Sequence, residues 1–316
     1  MKKTLSTREA YAETLIELAR HNGKIVALVS DTKSRIGDFD KFFPDRFFNI
    51  GIAEQNMIGV AAGLAISGKL PFVSAMSTFL SMRCFEQVRT DIAYPNLNVK
   101  LVGSEGGVCY GNQASTHHSL EDIALYRTIP NMTILVPADA VETIKATKSA
   151  AEHIGPVYIR ITTLEEEPLI YENDNYDFKI GKAITLREGN DISIIATGRM
   201  VFKALLASEE LLGEGINVRV INMHTIKPID KEILIKAAKE TGRIVTIEEH
   251  NIIGGLGSAV AEVVGEEFPV PIKRLGFRDV FSIPGSSNEI FDYYGLTKEK
   301  IAETIKKFLR KQFYIN

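Results

Sequence analysis

The sequence predicts an α/β protein of two domains, each a mostly parallel sheet covered by helices on both faces. Three observations carry this. Short apolar runs rich in β-branched residues alternate with helical patterns along most of the chain, the pattern of a parallel sheet buried on both sides. An acidic, proline-containing stretch at 164–178 interrupts the alternation and reads as an exposed linker. The 316 residues, 45% hydrophobic and 24% charged, have ordinary globular composition and length for two cores. The expected limits are 1–163 for the first domain, 164–178 for the linker and 179–316 for the second domain.

In the first domain, strands are expected at 24–30 (KIVALVS), 47–50, 72–76, 99–102, 132–136 and 157–161. Ser6 and Glu9 have capping-box spacing before the first helix, and Asp139 and Glu142 have cap-like spacing before another. Met57, Ile58, Val60, Ala61, Leu64 and Ala65 form the broad apolar face of a helix following the second strand. The second domain repeats the alternation, with strands expected at 192–196, 218–221, 244–247 and 272–275. A last helix at 298–309 sets Ile301, Ile305, Phe308 and Leu309 opposite a lysine-rich face.

Bulk properties narrow the function. A net charge of −3 invites neither nucleic acid nor an anionic membrane surface. The two cysteines, Cys84 and Cys109, are too far apart for a C-x-x-C site and too few for a disulfide framework. No run approaches the roughly 18 apolar residues of a membrane span, and no apolar signal segment follows the opening lysines. A reducing cytoplasm is expected. P-loop, nucleophile-elbow and H-E-x-x-H motifs are absent.

Four segments are candidate sites. In 49–63 (NIGIAEQNMIGVAAG) a strand ends, a glycine follows and Glu54 opens a helix. Ligands of open α/β sheets bind at such carboxyl ends. Among Ile50, Ile52, Ala53, Met57 and Ile58, a carboxyl is either a protonated acid held in apolar company or a complement to the helix dipole. In 108–122 (VCYGNQASTHHSLED), Ser119 and Asp122 have cap-like positions. There His117 and His118 are donors, proton shuttles or solvated loop residues. Phe79, in Ser77–Phe79 after the third strand, either stacks on a flat ring or packs in the core. Gly254–Ser258 (GGLGS) lacks the G-x-G-x-x-G order and reads as a tight turn into a helix.

Taken in order, these pieces resemble the carboxyl-terminal part of transketolase. The matching segments are Ser6–Tyr11, Ser30–Lys33, Ile52–Met57, Ser77–Phe79, Thr116–His117, Leu120–Asp122 and Ile129–Met132, spread over nearly the whole chain. The resemblance implies a pyrimidine-binding domain followed by the transketolase C-terminal domain, and thiamine diphosphate as cofactor. It implies that Glu54 hydrogen-bonds the cofactor's aminopyrimidine ring and promotes ionisation of its thiazolium carbon. It implies that Phe79 packs on that ring, with Met76 and Asp31 also in the cofactor-binding set. His117 then contacts the donor sugar's hydroxyls, and Arg8 binds the substrate's anionic end, for which a fork of donors is suited.

The family grips the cofactor's diphosphate through a divalent metal, Mg2+ or Ca2+, on a domain carrying Gly-Asp-Gly, and that tripeptide is absent here. The resemblance therefore implies one half of a split enzyme, with an N-terminal subunit supplying the diphosphate site and two copies of each chain in the assembly. Several positions depart from the family pattern. Gln113 stands where an aspartate reads an acceptor hydroxyl, and Glu105 near where a second histidine contacts the sugar. Thr163 stands in place of a phosphate-binding arginine, and Arg35 in place of a serine. Arg8 and Arg35 are expected to bind a phosphate or similar anion; the alternative for Arg35 is a surface position in a variable loop. Ketol transfer between sugar phosphates is the leading reading. The beta subunit of a 2-oxo acid dehydrogenase, a 1-deoxyxylulose-5-phosphate synthase and a non-catalytic scaffold are the alternatives.

Overall fold

The computed structural model describes residues 5–162, 168–171 and 175–312. Six strands of the first half form a parallel sheet: β1 (Ile25–Val29), β2 (Phe47–Asn49), β3 (Leu70–Met76), β4 (Lys100–Ser104), β5 (Thr133–Leu135) and β6 (Val157–Arg160), in the order β5-β6-β4-β3-β1-β2. Between them lie α1 (Thr7–His21), α2 (Phe39–Phe42), α3 (Glu54–Ile66), α4 (Phe85–Gln87), α5 (Asp122–Arg127) and α6 (Ala140–Glu152). Strand β1 shows why the run is apolar throughout. Val26 and Leu28 pack with Met57, Ile58 and Ala61 of α3. Ile25, Ala27 and Val29, on the opposite face, pack with Tyr11 and Leu15 of α1 and Ala146 of α6. A strand covered on both faces has no position left for a polar residue.

The second half contributes β7 (Ile184–Arg187), β8 (Ile192–Ala196), β9 (Val218–Asn222), β10 (Thr225–Lys227), β11 (Ile244–Asn251) and β12 (Ile272–Phe277), with helices α7 (Met200–Gly213), α8 (Lys231–Thr241), α9 (Leu256–Glu267), α10 (Ser287–Tyr294) and α11 (Lys298–Arg310). Five strands form a sheet in the order β12-β11-β8-β9-β7, with only β7 antiparallel. The anticipated apolar face of α11 is buried through Ile301, Ile305 and Phe308.

Three features differ from the sequence reading. Strands β7 and β10 lie outside the expected strands, because each is a short edge piece with no period-2 signal. β10 leaves the second half altogether and pairs antiparallel with β5, so the first sheet has seven strands. The linker is also not uniformly exposed. Tyr171 is buried and stacks on Tyr176 with ring centroids 4.1 Å apart, and its backbone N–H donates to Asp139 Oδ2 at 3.0 Å. Asp139 thus fastens the linker while Oδ1 caps α6 at Glu142 N, the cap read from the sequence. The Ser6–Glu9 capping box is present as expected.

Lys100 is a fully buried cation at the start of β4, its Nζ donating to the carbonyls of His153 and Gly155 at 2.7 Å each. Burial, with no carboxylate partner among the described residues, lowers its pKa from 10.5 to about 7. Between those values the unfolded chain binds the proton that the folded chain has released, so stability rises with pH across that window. The urea stability of the wild type relative to Lys100→Met is expected to increase from pH 7 to pH 10. A pH-independent difference would remove the assignment.

Candidate functional site

Strand order places β2, β1, β3 and β4 side by side, and the segments leaving their carboxyl ends converge. Glu54 is the first residue of α3, after β2, and is only 3% exposed. A carboxylate there complements the helix dipole, but apolar side chains are not its only company. Arg83 Nη1 donates to Glu54 Oε2 at 2.9 Å. Arg83 ends a π-helical turn, Phe79–Arg83, that follows β3; such turns recur at functional sites. The same guanidinium lies over the Phe79 ring, 4.1 Å from its centroid. Phe79 in turn meets the His117 ring edge-on at 5.3 Å, and His117 meets Tyr110 at 5.6 Å. Glu54, Phe79 and His117, singled out from distant parts of the sequence, therefore form one continuous patch. Ile52 projects beside it, 75% exposed.

The paired histidines diverge. His117 is half-buried with Nδ1 2.9 Å from Thr116 Oγ1. His118 is buried, with Nε2 3.2 Å from Gly111 O, and desolvation lowers its pKa. Gln113 is exposed on the same loop as His117, its carbonyl accepting from Thr116 Oγ1 at 2.8 Å. Met76 is buried at the end of β3. Asp31 is exposed at the end of β1 in a left-handed conformation, φ 65°, with its main chain bridged to Asn49.

Beyond β1 and β4 lies a second cluster. Arg8 and Arg35 are each only 8% exposed, so Arg35 is not a surface residue. Both pair with Glu105: Arg8 Nη1 with Oε1 at 2.9 Å, and Arg35 Nε with Oε2 at 3.4 Å. Arg8 Nη2 donates to Ser34 Oγ at 3.2 Å, and Arg35 Nε to Ser104 Oγ at 2.9 Å. Thr163 lies outside the described residues.

A third group was missed in the sequence. Asp122 does not cap α5; it is fully buried, accepting from Tyr158 Oη at 2.6 Å and Arg160 Nε at 2.8 Å. Arg160 Nη2 continues to the carbonyls of Ser119 and Glu249. Glu249, from the second half, pairs with Arg199 and accepts from Val108 N at 2.7 Å. It fits because residue 107 is glycine: a Cβ there would lie 2.1 Å from Glu249 Oε1. The loop carrying His117 is thus anchored at one end by Glu249 of the second half and at the other by Arg160 of β6. No local pattern announces these partners, which are far apart in sequence. The glycine-rich turn before α9 holds the chain's own Glu248, whose carboxylate accepts from Leu256 N and Gly257 N. It is a turn into a helix, as read.

The sequence matches the transketolase pyrimidine-binding domain over residues 3–165 and the transketolase C-terminal domain over residues 181–301. The chain belongs to the transketolase family. It is 46% identical, over 97% of its length and 98% of the relative's, to a subunit of the apulose-4-phosphate transketolase of Phocaeicola vulgatus. It is 43% identical to a 6-deoxy-6-sulfo-D-fructose transketolase subunit from a Clostridium species, over 97% of this chain and 95% of that one. Among solved structures, a split-gene transketolase described as an inactive beta4 tetramer superposes with a TM-score of 0.88 at 46% identity, covering 97% of this chain and 99% of that one. The chain is therefore the counterpart of these subunits in the split, two-chain transketolases, and shares the thiamine diphosphate dependence of that family. Among the described residues no helix is long and apolar enough to cross a membrane.

The transketolase patch fits the flat end of that cofactor. Arg83 already lays a planar, nitrogen-bearing group between Phe79 and the Glu54 carboxylate, so acceptor and aromatic face are spaced for one. Among the described residues no group of three or more His, Cys, Asp or Glu side chains is placed to hold a metal ion.

Proposed function

We propose that this chain supplies the pyrimidine end of a thiamine diphosphate site that an N-terminal transketolase subunit completes with the diphosphate end and a divalent metal, Mg2+ or Ca2+. The assembly, two copies of each chain in the cytoplasm, transfers a two-carbon ketol unit from a ketose to an aldose. The observation that supports this reading most directly is the planar guanidinium held between Glu54 and Phe79. Bound thiamine diphosphate supplies the carbon nucleophile that cleaves the ketose beside its carbonyl.

The chain's own groups have separate tasks. Glu54 holds a hydrogen bond to the ring nitrogen from a position closed to bulk water, while Phe79 and Met76 give the ring an apolar seat. Arg83 must leave both as the ring enters. Asp31, exposed at the tip of β1, faces the partner side of the site. His117 meets substrate hydroxyls, and Gln113 reads the acceptor. Arg8 and Arg35 hold the anionic end of the sugar; the two relatives above are named for a sugar phosphate and a sulfo sugar. Residues 1–163 and 179–316 are the two domains of this unit.

Co-expression with the N-terminal chain tests the reading. With thiamine diphosphate and magnesium, the two-chain assembly is expected to form erythrulose from glycolaldehyde and a ketose donor: xylulose 5-phosphate, fructose 6-phosphate or 6-deoxy-6-sulfofructose. Each chain alone should form none. Absence of transfer from every donor, or full activity from one chain, would overturn it.

A further inference from the structure

We propose that Glu105 sets the charge of the sugar tail this enzyme accepts, selecting a monoanion such as a sulfonate or carboxylate over a phosphate dianion. This rests on the ketol-transfer reading above and names its substrate class. The argument is one of charge in a buried place. Arg8 and Arg35 are both nine-tenths buried, and a single carboxylate, itself 4% exposed, lies between them. Two guanidiniums and one carboxylate leave a formal charge of +1. Among the described residues the other contacts add none: they are the hydroxyls of Ser34 and Ser104 and the carbonyl of Ser30. The nearest other charges on this loop, Asp31 and Lys33, are exposed, and Lys33 is paired with Asp40.

The cluster also retains capacity to donate. Arg8 Nε is buried and has no hydrogen-bond acceptor among the described residues, an arrangement that a ligand oxygen would satisfy. Glu105 itself cannot turn away easily. It is held by Ser104 Oγ as well as by both arginines, and its backbone is left-handed, φ 55°, which is uncommon for a residue with a side chain. Its carboxylate is therefore a fixed part of the site. A monoanion brings the site to neutrality. A phosphate ester, which carries about −1.5 to −2 near pH 7, leaves an excess negative charge out of water beside Glu105, the situation that low-dielectric surroundings penalise. A neutral tail leaves the cation uncompensated.

The test uses the two-chain enzyme with glycolaldehyde as acceptor, so that only the donor's tail varies. At pH 8, kcat/KM is compared for 6-deoxy-6-sulfofructose, fructose 6-phosphate and fructose. The sulfonate is expected to exceed the phosphate at least tenfold. The gap should narrow toward pH 5.5 as the phosphate dianion takes up one proton, near pH 6, and becomes a monoanion. Glu105→Gln should shift the ratio at least tenfold toward phosphate. A wild-type preference for phosphate, or an unchanged ratio in Glu105→Gln, overturns the proposal. The wild-type comparison needs no variant, so a Glu105→Gln chain that does not fold leaves the test standing. Failure of all three donors and of xylulose 5-phosphate would instead defeat the ketol-transfer reading. Equal use of fructose and both anionic donors would show transfer intact and the tail-charge proposal wrong.

Discussion

Glu54→Gln is expected to lower turnover of the two-chain transketolase by about 10^2–10^4-fold, the range of a lost proton-handling group, with little change in fold. The amide has the same shape and can occupy the same place at the start of α3. It cannot carry the negative charge that Arg83 pairs with at 2.9 Å, nor hold a proton in partnership with a ring nitrogen. Because Arg83 is partly exposed, with a side-chain exposure of 43%, losing that pair costs at most about 1 kcal/mol of stability. Turnover and thermal midpoint, measured on the same preparation, separate the two effects. Turnover within about threefold of wild type, against an expected loss of at least two decades, would mean that Glu54 serves only the helix dipole.

The largest effect on stability is expected from Arg160→Met. Arg160 is the cation of a buried set: Asp122 Oδ2 accepts its Nε, and two backbone carbonyls accept its Nη2. Methionine leaves Asp122, which is fully buried, without its counter-charge, and breaking one side of such a pair costs about 3–5 kcal/mol. Urea unfolding reads the loss. The double variant Asp122→Asn with Arg160→Met should recover part of it, because the stranded charge is gone. Additive losses in the double variant would show that the two residues act separately. The Ser119 and Glu249 carbonyls also lose their donor, so the single variant should disturb the loop that carries His117 and raise KM for sugars.

Much of the fold was legible because it is written in local patterns. The apolar runs of β1 and β8, the Ser6–Glu9 capping box, the Asp139 cap and the amphipathic last helix follow from spacing alone. Legibility ended where partners are remote. Three-residue β10 has no signal of its own and becomes a strand only because β5 offers it an edge. Tyr171 lies in a stretch whose acidity reads as solvent-exposed, yet Asp139 and Glu142 bury it. In the site, Glu54, Phe79 and His117 were found by their positions after strands and their family motifs, and they meet. Arg83 was not, since its importance lies in which way its side chain turns. Arg35 was found, but its partner Glu105 was read only as a departure from the family pattern. That Glu105 lies between two arginines is a fact of three dimensions.

The β10–β5 pairing limits how this polypeptide can be divided. A fragment stopping near residue 162 would keep the first half's own helices and still show β5 with one bare rim of peptide groups, an invitation to aggregate. The apolar layer joining α3 to α8 and α9 would be laid open in the same cut. The halves that look separable on paper are thus one obligate partnership, and the first half excised alone is expected to aggregate.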